Sequence, residues 1–468
     1  MVFSSLFFTF AFLPVTVIIY YLSGQHFRNA VLLTASLLFY AWGEPVYVLL
    51  MCCSIIINYG IGVLLGKEDI TGRKKKLFLI ISLVQNLCCL AYFKYYGMII
   101  NTMASISSWN LNAAVPALPL GISFYTFQTL SYVIDVYRGK VKPQENLLLF
   151  ALYIIMFPQL VAGPIVNYAD IESQLADRNI TFKKFCSGMR RFLCGMAKKV
   201  LLANNVGFLW SEVKAMPAAE ISVLMAWGGI IAFALQIYFD FSGYSDMAIG
   251  LGKMFGFHFK ENFRYPYISQ SVSEFWRRWH ISLGLWFKEY VYIPLGGNRA
   301  GKWKLIVHLL IVWFLTGLWH GASWNFVLWG LYFGNLILIE KLFLQKSMTR
   351  WPKTVRHMYL LMSVIIGWVF FEFTNLTEIM SFLRIMFGAG GNALIDNQAI
   401  IKLRAHAFLY IVCIIAASPC PKKLALLLKR THNNIYRVAV NVYYCVLMFL
   451  GTAYMVGSTY NPFIYFRF

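Results

Sequence analysis

Apolar runs recur along the whole chain, separated by short polar stretches. A bilayer crossing needs about 20 predominantly apolar residues, and the windows 2–22, 45–65, 77–100, 146–165, 221–239, 305–319, 323–339, 358–371, 405–417 and 438–456 approach that length. Residues 30–42 form a shorter run of the same kind. The pattern predicts an all-α polytopic membrane protein with about eleven transmembrane or re-entrant helices, the shorter ones tilted, broken or re-entrant. No polar stretch is long enough for a second domain, so residues 1–468 read as a single membrane domain. The first run lacks a basic start and a small-residue cleavage site, and reads as a retained span, not a signal peptide.

Charge then orients these runs. Lys and Arg number 41 against 19 Asp and Glu, a net charge of +22, but the basic residues sit in short loops between apolar runs, as the positive-inside rule describes. The loop with Lys67, Arg73, Lys74, Lys75 and Lys76 is predicted to be cytoplasmic, whereas residues 101–118 carry no basic residue and read as outside. Threading onward places 138–142, 253–304, the loop with Lys346, Arg350, Lys353 and Arg356, and residues 422–437 in the cytoplasm, with both chain ends outside. One region breaks the alternation. If 146–165 crosses fully, Lys183 to Lys199 fall on the wrong side, whereas a re-entrant hairpin there restores the count. Residues 182–202 alternate apolar and basic faces and predict an amphipathic helix lying on the cytoplasmic surface. The basic patches fit anionic lipid, and nothing resembles a nucleic-acid module. Of nine cysteines, none stands at metal or redox spacing.

Two segments carry chemistry. Residues 273–299 mix aromatic, basic and polar groups in a way no connecting loop requires; as one helix they would place Trp276, His280, Leu283 and Phe287 on a shared face. The second, 315–330, sets His320 inside an apolar stretch with Gly317 and Gly321 nearby. Ionisable residues at such depth are functional candidates, and imidazole titrates near neutrality, which suits it to take a proton from an attacking hydroxyl. The competing structural reading is a histidine hydrogen-bonded between packed helices. Neither histidine has Asp, Glu or Cys at ligand spacing, so no metal is expected.

The motifs Trp276-Arg277-Arg278-Trp279-His280-Ile281-Ser282-Leu283, Tyr292-Ile293-Pro294-Leu295-Gly296-Gly297-Asn298-Arg299 and Leu318-Trp319-His320-Gly321-Ala322-Ser323-Trp324 together resemble the membrane-bound O-acyltransferase family, in the branch of bacterial alginate O-acetyltransferase membrane subunits. The resemblance extends to residues 1–5, 119–128, 157–164 and 240–246, covering most of the first 335 residues. It implies helices surrounding a funnel, with 252–335 as the segment holding both histidines, His320 catalytic and His280 its companion. It also implies an acyl thioester, acetyl-CoA or another, opened on the cytoplasmic side as a substrate, with no permanently bound cofactor. Arg277, Arg278, Lys288 and Arg299 are placed to meet the donor's phosphates, or else are plain positive-inside charge. Trp276, Trp319 and Asn325 flank the histidines. Asp240 and Asp246, at the end of a span, are expected to orient a histidine or cap the next helix.

The expected product is an O-acetylated hydroxyl on a cell-surface or exported polysaccharide, made at the bacterial cytoplasmic membrane either directly or through a partner acetyltransferase. The tail 457–468 is strongly aromatic, which fits an interfacial belt. It also resembles the end of the small peptide subunit of the teichoic-acid D-alanylation system, which implies that Tyr465 accepts the acyl group as a relay nucleophile. Two alternatives stand beside this reading: D-alanyl transfer to teichoic acid from a carrier-protein thioester, and a proton-coupled transporter, against which the absence of an inverted repeat speaks.

Overall fold

The computed structural model describes residues 1–107, 114–161, 163–457 and 463–464, with the side chains of 299 and 300 also outside the description. Among the described residues the chain is helical throughout, without strands. The helices are α1 (Phe8–Leu22), α2 (Arg28–Ala41), α3 (Tyr47–Gly66), α4 (Gly72–Ile106), α5 (Ile122–Tyr137), α6 (Leu147–Ile155), α7 (Tyr168–Ala176), α8 (Phe182–Ala215) and α9 (Val223–Met254). There follow two short helices, α10 (Val272–Arg278) and α11 (Ile281–Phe287), then α12 (Lys302–His320), α13 (Trp324–Met348), α14 (Lys353–Glu372), α15 (Leu376–Met386), α16 (Asn397–Ala405), α17 (Ala407–Ala416), α18 (Cys420–Thr431) and α19 (Asn433–Gly457). Among the described residues, eight helices are long and apolar enough to cross a membrane, or nine if α16 and α17, bent by 54°, form one broken span. Against the eleven windows, 2–22, 30–42 and 146–165 give no helix of crossing length, 405–417 counts only as part of the bent pair, and 182–215 is gained. Helices α1 and α2 are too short to pass that test. Helix α6 has nine residues, about 14 Å of rise, less than half of the ~30 Å hydrocarbon core.

Two windows were longer than the apolar pattern indicated. The basic, amphipathic stretch 182–202 is not a separate surface helix; it continues to Ala215 as one helix that qualifies as a span. Likewise, α9 does not end at Phe239 but runs to Met254, carrying Asp240 and Asp246 in its interior. Neither aspartate therefore caps a following helix. Ion pairs with α8 explain both extensions, because a charge paired and hydrogen-bonded is tolerated where a lone one is not.

The molecule comprises two compact units, so the single membrane domain is built in two parts: Met1–Phe192 with Tyr244–Glu261, and Leu193–Gly243 with Asn262–Phe468. In the first unit a buried polar knot ties α3 to α4. Ser82 Oγ donates to Asn58 Oδ1 at 2.6 Å and Asn86 Nδ2 donates to the same oxygen at 2.9 Å, the interhelical bonding that apolar surroundings favour. In that unit Arg191 on α8 pairs with Asp246 on α9 at 2.8 Å and with Glu261.

In the second unit α12 and α13 form an antiparallel pair pressed together through glycine: a Cβ on Gly317 would lie 2.3 Å from the Phe326 carbonyl oxygen, and one on Gly330 2.3 Å from that of Trp313. Around them Trp329, Phe333, Trp368, Val364 and Leu360 are buried to 1% exposure or less, an aromatic-rich core that also receives Phe275 and Trp279 from α10 and the loop after it. Helix α10 is fixed at its start by Ser271 Oγ, which accepts the Glu274 N–H at 3.0 Å, and by the buried Glu340 carboxylate of α13, which accepts the N–H groups of Val272 and Ser273 at 2.6 and 2.8 Å.

Candidate active site

The 273–288 stretch is not one continuous helix. It breaks at Trp279–His280, where His280 takes the left-handed conformation (φ 44°, ψ 54°), rare and costly for a residue with a Cβ. The surroundings that hold it there centre on Asn262, fully buried in the connection after α9. Asn262 Oδ1 accepts the Ser282 N–H at 3.1 Å and the Ser282 hydroxyl at 2.9 Å, and lies 3.3 Å from His280 Nδ1. Its carbonyl accepts the Ile281 N–H at 3.0 Å. Because the backbone N–H of Ser282 identifies the Asn262 side-chain atom as oxygen, His280 Nδ1 must carry the proton, which leaves Nε2 as the basic nitrogen. Burial pushes this imidazole down to about 3, so the ring is neutral at physiological pH.

His320 is the last residue of α12; the chain turns extended at Gly321 (φ −170°, ψ 153°) and re-enters helix at Trp324. Its ring centroid lies 6.5 Å from that of His280, and the two are 4% and 2% exposed. Aromatic rings wall them in: Trp329 at 4.8 Å and Phe371 at 5.7 Å from His320, Phe241 at 4.7 Å and Trp319 at 5.6 Å from His280. This enclosure excludes water, which strengthens electrostatic and proton-transfer effects inside it. Asn325 supports the wall from α13 by donating to the Phe370 and Phe371 carbonyls at 3.2 and 3.4 Å. Trp276 stacks edge-on against Trp329 at 5.4 Å and Trp313 at 5.0 Å.

The basic candidates divide. Arg277 lines a cavity of about 690 Å³ together with Ser273, Tyr292, Asn298, Lys341 and Arg356. Arg278 instead pairs with Glu274 at 2.8 Å and donates to the Arg264 carbonyl. Lys288 is exposed on the turn after α11, and the Arg299 side chain and Tyr465 lie outside the described residues. Asp240 faces neither histidine in a hydrogen bond: Lys199 of α8 donates to one of its oxygens and the Ile464 N–H donates to the other at 2.8 Å. Asp246 is held by Arg191 in the first unit. Sequence reasoning missed Asn262, Lys199, Lys341 and Arg356. The first two sit outside any motif, and only a buried-charge argument applied to Asp240 would have called for Lys199.

A chain that, among the described residues, has eight or nine apolar helices of crossing length and encloses two imidazoles at helix breaks is a polytopic membrane protein. It belongs to the membrane-bound O-acyltransferase family: residues 142–383 match the family model, and the chain is an acyltransferase. It is 42% identical to the probable alginate O-acetylase AlgI of Pseudomonas aeruginosa over 83% of this chain and 75% of that one. Identity to the Pseudomonas putida protein of the same description is 37%, covering both chains in full. A peptidoglycan O-acetyltransferase of Helicobacter pylori is 30% identical over all of this chain and 98% of its own.

Proposed function

We propose that this protein moves an acetyl group from a cytoplasmic thioester, acetyl-CoA being the fitting donor, to a hydroxyl of a cell-surface or exported polysaccharide at the bacterial cytoplasmic membrane. The observation that carries the reading is the enclosed His320–His280 pair, 6.5 Å between ring centroids, in a chain whose full-length relatives are described as O-acetylating enzymes. His320 removes the proton from the attacking hydroxyl; the oxygen bonds to the acyl carbon, the C–S bond breaks, and the leaving thiolate takes the proton back from the imidazolium. His280, neutral and fixed by Asn262, positions the reacting groups.

The cavity lined by Arg277, Lys341 and Arg356 is the donor's place in this scheme. Its walls come in part from the two segments, 253–304 and 346–356, that loop charge assigns to the cytoplasm, and in part from α12 and α13, the latter bringing Lys341 together with Glu340; guanidinium and ammonium groups suit phosphate. The attacking hydroxyl in the first transfer is the Tyr465 phenol, whose ordinary pKa near 10 calls for a base; the acetyl ester then passes to the glycan or to a partner acetyltransferase. Purified protein with acetyl-CoA labelled in the acetyl group tests the reading. Thiol release that needs both His320 and Tyr465, with label found on the tail, supports it. Turnover only with a D-alanyl carrier-protein thioester, or substrate uptake without thioester cleavage, would replace it by one of the two alternatives.

A further inference from the structure

The Lys199–Asp240 pair has no role in the scheme above, yet it is among the most enclosed charge pairs in the second unit, with side chains 2% and 3% exposed. Helices α8 and α9 approach closely enough for it because residue 243 is glycine; a Cβ there would lie 2.7 Å from the Gly195 carbonyl oxygen. Two charges taken out of water cost more than their mutual attraction returns unless the remaining lone pairs are satisfied. Here the satisfaction comes from the far end of the chain. Asp240 Oδ2 accepts the backbone N–H of Ile464 at 2.8 Å, and the Lys199 ammonium stands 4.8 Å from the Phe463 ring centroid. Phe463 and Ile464 are 1% and 7% exposed, and Ile464 also borders a cavity of about 260 Å³ with Trp210, Lys214 and Glu372.

A packing contact between apolar side chains would serve to cover a chain end. A carboxylate aimed at a backbone N–H does something different, because it fixes the register of the segment along its own axis, residue by residue. From this we propose that Lys199 and Asp240 are positioning residues that form the receptor for the C-terminal segment: the carboxylate sets its register through the Ile464 N–H and the ammonium seats the Phe463 ring. The link from docking to activity rests on the relay reading of Tyr465, the residue next to Ile464 in the sequence. Docking itself does not rest on it.

Ile464→Pro separates the two, because it deletes the donated N–H at a residue outside helices α1 to α19, while Ile464→Ala keeps it. The full chain carrying p-benzoylphenylalanine in place of Phe463 is irradiated in native membranes and the crosslinked peptides are mapped. The expected result is a crosslink to the α8 segment around Lys199 in the parent and in Ile464→Ala, reduced by about tenfold or more in Ile464→Pro, the scale of losing a hydrogen bond to a charged group. Asp240→Asn, which keeps an oxygen acceptor, should retain more crosslink than Asp240→Leu. An undiminished crosslink in Ile464→Pro, at equal abundance, would overturn the proposal. Polymer acetate measured in the same cells then reads the other claim: loss of acetate together with the crosslink supports docking and relay alike, and loss of crosslink with acetate intact supports docking while removing the relay. If the pair were only a structural strut, Asp240→Leu would lower membrane abundance and leave the crosslink per molecule of full-length chain unchanged; a receptor role predicts that the crosslink per molecule falls.

Discussion

Two polar regions of this protein are built on opposite plans. Along the α8–α9 seam every carboxylate meets a cation: Asp246 and Glu261 share Arg191, and Asp240 meets Lys199. Around the histidines the neighbours are rings and an asparagine, with Trp329, Phe371, Phe241 and Trp319 at 4.8, 5.7, 4.7 and 5.6 Å. Matched opposite charges hold helices and chain segments in place, and removing one partner leaves a charge stranded in apolar surroundings. A neutral imidazole in an aromatic enclosure costs far less to bury and keeps its lone pair available for chemistry. Substitutions at Arg191 and its carboxylates should therefore act on the amount of folded protein, those at Lys199 and Asp240 on the seating of the C-terminal segment, and substitutions around the histidines on turnover.

The largest effect on abundance is expected from Arg191→Met, which removes the cation that Asp246 and Glu261 share; a loss of about 1–3 kcal/mol should appear as depleted protein in quantitative membrane blots. Near-normal abundance of that variant would break the comparison. Next comes Gly317→Leu, which has no room for its side chain between α12 and the Phe326 carbonyl; overpacking of this kind costs about 1–3 kcal/mol and should lower the thermal midpoint of the detergent-purified protein. Asn262→Ala is expected to do the reverse of the seam variants, reducing turnover by about 10- to 100-fold through misplacement of His280 while most of the protein still reaches the membrane; equal losses of abundance and turnover would count against a positioning role. The smallest contrast separates neighbouring arginines. Arg277→Gln, on the cavity wall, should raise the donor KM about tenfold, one charge-assisted contact, whereas Arg278→Gln, already paired with Glu274, should change it less than about threefold.

The pH dependence sharpens the same contrast. His280 has its folded pKa lowered to about 3 against an unfolded value near 6.5. Between these values the unfolded chain binds a proton that the folded chain refuses, so stability falls as the pH drops below about 6.5, by up to about 1.4 kcal/mol per pH unit. His280→Gln should flatten this acid-side slope in denaturation profiles, while the slope surviving unchanged would show that His280 takes its proton in the folded state.

What the sequence disclosed and what it hid follow the same physical divide. Long apolar windows announced α3, α4, α12, α13, α14 and α19, because so long a run with at most one charge, Lys94 in α4, reads as a span. The histidines stood out for being ionisable inside apolar text. The interior of α8 and α9 was hidden because a single residue says nothing about its partner: Lys199 and Asp240 are 41 positions apart, and each alone ends an apolar window. The break at His280 was hidden for a related reason. Helical spacing in 273–288 is satisfied on paper, yet Asn262, 18 positions earlier, supplies the bonds that make the left-handed turn at His280 preferable to a continuous helix. Windows 146–165 and 2–22 approach span length by hydropathy, which counts apolar residues but not where a turn such as the one after Ile155 stops the helix; the nine-residue α6 is too short for the full crossing and leaves the re-entrant alternative for 146–165.

The account turns on His320 as the base in acyl transfer, and polymer acetate content of cells carrying His320→Ala, with both proteins quantified in the membrane, tests this most directly. Loss of acetate by a factor of about 10² or more at equal abundance is the predicted result; acetate at the level of the unmodified protein would contradict the assignment of His320 and, with it, the reading of the enclosed histidine pair as the catalytic centre.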